Sequence, residues 1–280
     1  RSATILAAGD QMATISVLAY RLARTSGIIT GQQLTVRGVY FIGVDLAWGL
    51  RSPTGVAVVD EAGVLRHLDV AGDDDDVAAQ LTPVTRGDCL VAVDAPLVVT
   101  NPTGNRPCET ALNRDFRRFE AGAHPANTTL AWFADGGRGA RLCAALDLDL
   151  DPRSPAPRKA IEVYPHAASV VLFGLARTLK YKQKTGRELP ELRSELLRLM
   201  DHLETLGSAD PTLDVSACPD WVTLKSGVLT AARKSELRRA EDPADAVLCA
   251  YIARFAAARP GDVTVYGDPE TGCIVTPALR

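Results

Sequence analysis

Short apolar runs bounded by turn residues recur along the chain from residue 39 onward. The first run, over 39–45, is rich in β-branched and aromatic residues and ends at Asp45, which is typical of a strand buried on both faces. Two similar runs over 54–60 and 64–70 follow after short turns. Three strands joined by short loops predict an antiparallel meander.

An acidic stretch and a fourth apolar run come next. Negative charge favours a helix N-terminus, so we predict a short helix over 76–82. The run over 88–94 predicts a strand parallel to the first one, because a crossover connection joins parallel neighbours. The remaining pattern predicts a fifth strand over 159–166, helices over 108–120, 129–146, 167–175 and 188–206, and short closing strands over 263–266 and 273–275.

The last long helix is predicted to begin near residue 241. Asp242 is suited to its N-cap and Pro243 to its first helical position. Residues 207–220 are predicted to be irregular. The whole order of elements predicts an α/β fold with a mixed five-stranded sheet, made of an antiparallel three-strand meander plus parallel strands and flanked by helices.

Residues 1–38 differ in character from the regular pattern that follows. A predicted helix over 11–24 runs into Gly-Ile-Ile-Thr-Gly-Gln, which resembles the C-terminal end of short-chain dehydrogenases. Because no Gly-rich nucleotide turn and no Tyr-x-x-x-Lys pair precedes this stretch, we infer no dehydrogenase activity. We therefore expect an extension of unclear status over 1–38 and a single domain over 39–280.

Composition narrows the class of protein. The 280 residues carry a net charge of −3, so no overall basic field indicates nucleic acid. The six cysteines have no paired spacing, which favours reduced core thiols and a cytoplasmic location over disulfides or zinc. No apolar stretch reaches membrane-spanning length, so we expect no membrane partner.

Two of the predicted strands end in a carboxylate. Asp45 closes the first strand and Asp94 closes the fourth; a carboxylate that merely caps the next turn is an equally good interpretation of either one alone. If these strands are neighbours, the two carboxylates lie a few ångströms apart, and like charges that close do not both stay ionised without a cation. Mg²⁺ or Mn²⁺ is suited to this role, because hard cations take oxygen ligands.

The last helix adds further carboxylates. Asp245 shares a helical face with Leu248 and Ile252, so it is carried toward the core edge rather than into a cap. Glu162 lies near the end of the fifth predicted strand. Two metal ions about 4 Å apart in such a cluster activate water and stabilise the leaving oxygen of a phosphodiester.

Several short motifs carry a family resemblance. They are Gly43-Val-Asp45-Leu-Ala-Trp, Val93-Asp94-Ala-Pro-Leu, Asn101-x-x-Gly-x-Arg106-Pro-Cys-Glu109, Glu162-Val-Tyr-Pro-His166 and Asp242-x-x-Asp245-Ala. The set resembles the RNase H-like superfamily, and its final motif is similar to the helix start of RuvC-type Holliday-junction resolvases. Over about residues 39–277 it resembles more closely an uncharacterised domain-of-unknown-function family of predicted RNase H-like nucleases.

The resemblance implies roles for the acidic residues. Asp45 would bridge both metals, Asp94 would be the second ligand, and Asp245 with Asp242 would complete the site. Glu162 would be a further catalytic carboxylate and ligand. The implied activity is metal-dependent hydrolysis of the phosphodiester bonds of nucleic acid.

Basic residues and one histidine are the candidate substrate contacts. Arg106, Lys180 and Lys182 would hold phosphates. Salt bridges within the protein are an equal alternative for these residues. For Arg106, the partner in a local ion pair would be Glu109, three residues further along. His166 would contact the substrate or shuttle a proton, and a structural hydrogen bond is the alternative.

Two other classes of function stay open. A non-catalytic module that keeps the fold and binds nucleic acid or a protein agrees with the mildly acidic charge, because free-standing nucleases usually carry a basic stripe. A phosphotransferase of the actin-like type shares a Gly-x-Asp strand followed by a hairpin. That class needs two copies of the fold around its nucleotide, whereas the sequence predicts one copy.

Overall fold

The computed structural model describes residues 38–49 and 53–280. The predicted helix over 11–24, and all of the extension except Gly38, lie outside the described residues. The division of the chain into an extension and one domain stays a prediction.

A five-stranded mixed sheet lies at the centre of the described part. Its strands are β1 (Tyr40–Asp45), β2 (Thr54–Val59), β3 (Leu65–Ala71), β4 (Cys89–Val93) and β5 (Arg158–Glu162), in the order β3-β2-β1-β4-β5. β1, β2 and β3 pair antiparallel, whereas β4 lies parallel to β1 and β5 parallel to β4. The predicted meander with added parallel strands is confirmed, and the order is consistent with an RNase H-like arrangement.

Helices flank the sheet and a hairpin follows them. The helices are α1 (Asp74–Thr85), α2 (Pro107–Phe116), α3 (Gly137–Ala145), α4 (Pro165–Leu172), α5 (Leu189–Thr205), α6 (Pro219–Thr230) and α7 (Lys234–Ala258). Short 3-10 turns cover Arg117–Phe119, Leu206–Ser208 and Pro260–Asp262. The hairpin consists of β6 (Val263–Asp268) and β7 (Gly272–Pro277). The described part contains no helix long and apolar enough to cross a membrane.

The main core lies between one face of the sheet and helices α5 to α7. Apolar residues of α5 recur at helical spacing, and Leu196, Leu199 and Leu203 are fully buried. The middle of α7 is buried almost all round, because it runs across β1, β2 and β4 beneath α5. A helix buried on every side needs the apolar and small residues found there.

Two glycines let α7 approach the sheet closely. A Cβ built on Gly43 of β1 would lie 1.9 Å from the Ala246 carbonyl oxygen, and one on Gly55 of β2 would lie 2.1 Å from the Asp242 carbonyl oxygen. Any side chain at either position would push the helix backbone away. These glycines therefore determine how near the acidic residues of α7 come to the end of β1.

Two predicted helices begin far from their predicted first residues, whereas the bounds of the others differ by one to four residues. The predicted helix over 129–146 is wrong in its first half, because residues 129–135 form turns and α3 begins only at Gly137. The last helix does not begin at Asp242: it starts at Lys234, and Pro243 lies inside it. Its first turn is capped instead by Glu236, whose side chain accepts bonds from the backbone N–H groups of Ala232 and Arg233.

Helix α6 was not predicted. Its apolar residues do not share one face: Trp221 is buried, whereas Val222 and Leu229 are exposed. The hydrophobic period that reveals a surface helix is therefore absent from its sequence.

Candidate active site

Two carboxylates end adjacent parallel strands. Val44 of β1 pairs with Val93 of β4, and the Asp94 N–H donates to the Val44 carbonyl oxygen at 2.9 Å. Asp45 and Asp94 consequently lie side by side at the carboxyl edge of the sheet. In open α/β sheets this edge is the usual place for a ligand site.

Helix α7 brings two more carboxylates to the same edge. Asp242 and Asp245 are nearly one turn apart on the helix and both are buried. The Tyr181 hydroxyl donates to Asp245 Oδ1 at 2.6 Å, and Arg238 Nη1 donates to Asp242 Oδ1 at 2.6 Å. Asp242 is thus part of the cluster rather than the helix cap that its sequence position suggests.

A lysine ammonium lies among these carboxylates. Lys182 Nζ is 2.5 Å from Asp245 Oδ2, 3.2 Å from Asp45 Oδ2 and 3.6 Å from Asp242 Oδ1. Its side chain is 24% exposed. The predicted substrate lysine therefore forms ion pairs within the protein, which was the alternative interpretation of its charge.

The pKa values of the titratable groups in the cluster differ from their usual values. Burial raises the pKa of Asp45 to about 7; Lys182 acts in the opposite direction, and Asp245 and Asp242 add to the rise. Burial, together with Asp45 and Asp245, raises the pKa of Asp94 well above its usual range. Burial works against the charge of Lys182, but the carboxylates outweigh it and raise the pKa of the ammonium. Such a group of acids favours protons or additional positive charge.

The carboxylate of Asp94 has neither a hydrogen bond nor an ion pair among the described residues. Asp245 Oδ2 is buried and accepts no hydrogen bond of ordinary geometry there. Asp94 therefore has ligand capacity that the fold does not use, whereas Asp245 Oδ2 is paired with the Lys182 ammonium at 2.5 Å.

A divalent metal ion is the group that the sequence motifs imply for this cluster. In the described ranges, no three His, Cys, Asp or Glu side chains are arranged to hold one metal ion, and the Lys182 ammonium lies in the space between the carboxylates. The donors still fit in kind, because carboxylate oxygens are the ligands that Mg²⁺ and Mn²⁺ prefer. The carboxylates of the cluster are therefore suited to bind a metal ion. The space between them also contains the Lys182 ammonium.

An open cleft of about 570 Å³ adjoins the cluster. Trp48 and Tyr164 contribute aromatic surface, and three lysines of the segment between α4 and α5 also line the cleft: Lys180, Lys182 and Lys184. Lys180 Nζ pairs with Glu120 Oε2 at 2.5 Å. Lys184 is exposed and its ammonium has neither a hydrogen bond nor an ion pair with a described residue, so it is the lysine most available to a substrate phosphate.

His166 also lines the cleft. Its Nδ1 lies 3.0 Å from Thr178 Oγ1, and burial lowers its pKa to about 4. An imidazole with that pKa is neutral and weakly basic at physiological pH. These observations favour the structural hydrogen bond over the proton shuttle.

Glu162 and Arg106 belong to a buried ion-pair network on the β5 side of the cluster, where Glu162 is in register with Val93 of β4. Arg106 Nη1 and Nη2 donate to the two oxygens of Glu162 at 2.9 and 2.5 Å, and Arg106 Nε donates to Glu109 Oε1 at 2.9 Å. The backbone N–H of Leu97 also donates to Glu162. This geometry favours a structural role for both residues, because neither presents a free charge to the cleft.

Two residues of the site were not singled out in the sequence. Tyr181 and Arg238 each donate to one of the α7 carboxylates. Arg238 lies four residues before Asp242, so the i,i+4 spacing would have revealed this pair had the helix been predicted to begin at residue 234. Tyr181 lies in a loop without periodicity, and only its position between two lysines sets it apart.

Fold and site together define a class of protein: an α/β protein with a carboxylate cluster at the carboxyl edge of a mixed five-stranded sheet. The chain belongs to the family described as "Protein of unknown function (DUF429)", which matches residues 43–271. That span includes every carboxylate of the cluster. No curated protein and no solved structure matches the chain.

Proposed function

We propose that this protein is a metal-dependent nuclease that hydrolyses phosphodiester bonds of nucleic acid. The observation that carries the proposal is the convergence of Asp45, Asp94, Asp242 and Asp245 on one point at the carboxyl edge of the sheet. Folding does not require four carboxylates together, and their mutual repulsion has a cost unless it serves a ligand.

The four carboxylates would hold Mg²⁺ or Mn²⁺. When bound, the metal supplies a Lewis acid and an activated water for attack on phosphorus. The residues of the chain keep these donors in place: Tyr181 and Arg238 fix the carboxylates of α7, and the close packing of α7 on Gly43 and Gly55 fixes the helix itself.

The cleft would take the nucleic acid. Lys180 and Lys184 line it, and their positive charge suits a phosphate backbone. Binding through so few cations should weaken as salt is added, with a shallow slope.

The test is Mn²⁺ binding by calorimetry, with cleavage assays on single- and double-stranded DNA and RNA. Asp45→Asn is expected to lower Mn²⁺ affinity by at least about tenfold, because the loss of even an outer-shell partner of a metal ligand typically costs about tenfold to a hundredfold, and to reduce any cleavage in parallel. Asp75→Asn, which changes an exposed acid of α1, is the control and should leave both unchanged. Unaltered binding and cleavage in Asp45→Asn would refute the proposal.

A non-catalytic binding module is the second candidate function. The observation in its favour is that Lys182 already neutralises part of the carboxylate cluster. Nucleic-acid binding without turnover in either Mg²⁺ or Mn²⁺ would favour this module over the nuclease.

A further inference from the structure

Lys182 is the cation closest to the centre of the carboxylate cluster in the described chain. Its ammonium lies within 3.6 Å of Asp45, Asp242 and Asp245, which are three of the four proposed metal donors. A divalent cation bound by the same oxygens would lie within a few ångströms of the ammonium. Two positive charges at that separation repel strongly in a partly buried site.

We infer that Lys182 is a built-in counter-ion of the carboxylate cluster, and that a divalent metal must displace its ammonium in order to bind. The inference rests on the proposed function, since it assumes that the cluster is a metal site. It adds to the proposed function that one residue, Lys182, controls the binding of the metal.

The loop around Lys182 allows the ammonium to move while the backbone stays in place. Arg187 Nη1 donates to the Lys182 carbonyl oxygen at 2.6 Å, and the Gln183 N–H donates to Glu241 Oε1 at 3.3 Å. Tyr181 is buried and bonded to Asp245. The backbone is thus held on both sides, whereas the flexible four-carbon stem of lysine opens onto the cleft.

The displaced ammonium would remain in the cleft. Lys180 and Lys184 already line the same cleft, so the released charge would join them where a substrate phosphate is expected to lie. Metal binding would then create a third phosphate contact, which links metal loading to the capture of a polyanion.

Calorimetry with Mn²⁺ alone tests the displacement. In Lys182→Met the metal no longer competes with the ammonium, so its affinity is expected to rise about tenfold, which corresponds to about 1.4 kcal/mol. Lys225→Met is the matched control: it removes a lysine that also pairs with carboxylates, those of Asp201 and Glu204, but is not part of the cleft lining, and its affinity should equal that of the wild type.

A second measurement uses the wild-type protein and does not depend on the folding of a variant. Lysines are acylated briefly with an amine-reactive reagent, with and without Mn²⁺, and quantified by peptide mass spectrometry. An amine held by carboxylates reacts slowly, so Lys182 is expected to react several-fold faster when Mn²⁺ releases it. Lys184, which is exposed, serves as the internal reference and should not change.

The outcomes separate this inference from the proposed function. Tighter Mn²⁺ binding in Lys182→Met, or faster acylation of Lys182 with Mn²⁺, supports the inference. Equal Mn²⁺ affinity in the wild type and Lys182→Met, with acylation unchanged by the metal, overturns it and leaves the metal site standing. No Mn²⁺ binding in any of the three proteins overturns both.

Discussion

Replacement of Arg106 by methionine is expected to lower the free energy of unfolding by about 3–5 kcal/mol. Arg106 is 1% exposed and forms ion pairs with Glu109 and Glu162, which are also buried. Removal of the guanidinium leaves two carboxylates in a poorly solvated place without their positive partner. Urea denaturation followed by circular dichroism measures the change.

A double variant tests whether unpaired charge causes this loss. In Arg106→Met with Glu162→Gln, residue 162 is neutral and still has an acceptor for the Leu97 N–H, which donates to Glu162 at 3.0 Å. The double variant should therefore be more stable than Arg106→Met alone. Arg86→Met removes an exposed arginine and should change stability by less than about 0.5 kcal/mol. Equal stability of the single and double variants would mean that lost packing, not charge, is the cause.

The sheet could be predicted because its strands are short apolar runs that end at turn residues. Burial on both faces leaves β1 and β4 with no polar interruption before their carboxyl ends: Asp45 is the last residue of β1, and Asp94 directly follows β4. Once the two strands are recognised as parallel neighbours, the proximity of Asp45 and Asp94 follows from the direction of the chain alone.

The surroundings of the carboxylates could not be predicted in the same way. Lys182 and Tyr181 lie in the connection between α4 and α5, which has no periodic pattern and whose path depends on tertiary packing. The sequence indicates that Lys182 is basic, but it does not distinguish a lysine that faces a substrate from one that pairs with Asp245.

The start of the last helix was predicted too far along the chain for a local reason. A proline after an aspartate is a strong signal for a helix start, and the preceding residues of α7 are mostly charged. The helix nevertheless extends upstream to Lys234. Its first turn is stabilised by a charged pair at the surface, Arg233 with Glu236, which an apolar spacing pattern does not indicate.

Replacement of Gly43 by alanine is expected to destabilise the protein by at least about 3 kcal/mol, at or above the upper end of the usual cost of overpacking. The added methyl would lie 1.9 Å from the Ala246 carbonyl oxygen and 2.3 Å from the Ala250 nitrogen. Both are backbone atoms in the buried middle of α7, so no side-chain rotation relieves the overlap and the helix itself must shift.

That shift also connects the fold to the site. Gly43 lies two residues before Asp45, while Ala246 follows Asp245 directly, so a methyl at position 43 separates the carboxylates that the close packing brings together. Mn²⁺ affinity in any folded fraction of Gly43→Ala should therefore fall together with stability, as calorimetry and thermal melting of the same samples would measure.

The control is Gly227→Ala in α6, where no atom lies within 4 Å of the added carbon. There the greater helix propensity of alanine should stabilise the protein by about 0.5–1 kcal/mol. If Gly43→Ala has the stability and the Mn²⁺ affinity of the wild type, there is space for a methyl group between β1 and α7. The spacing of the carboxylates then does not depend on this glycine.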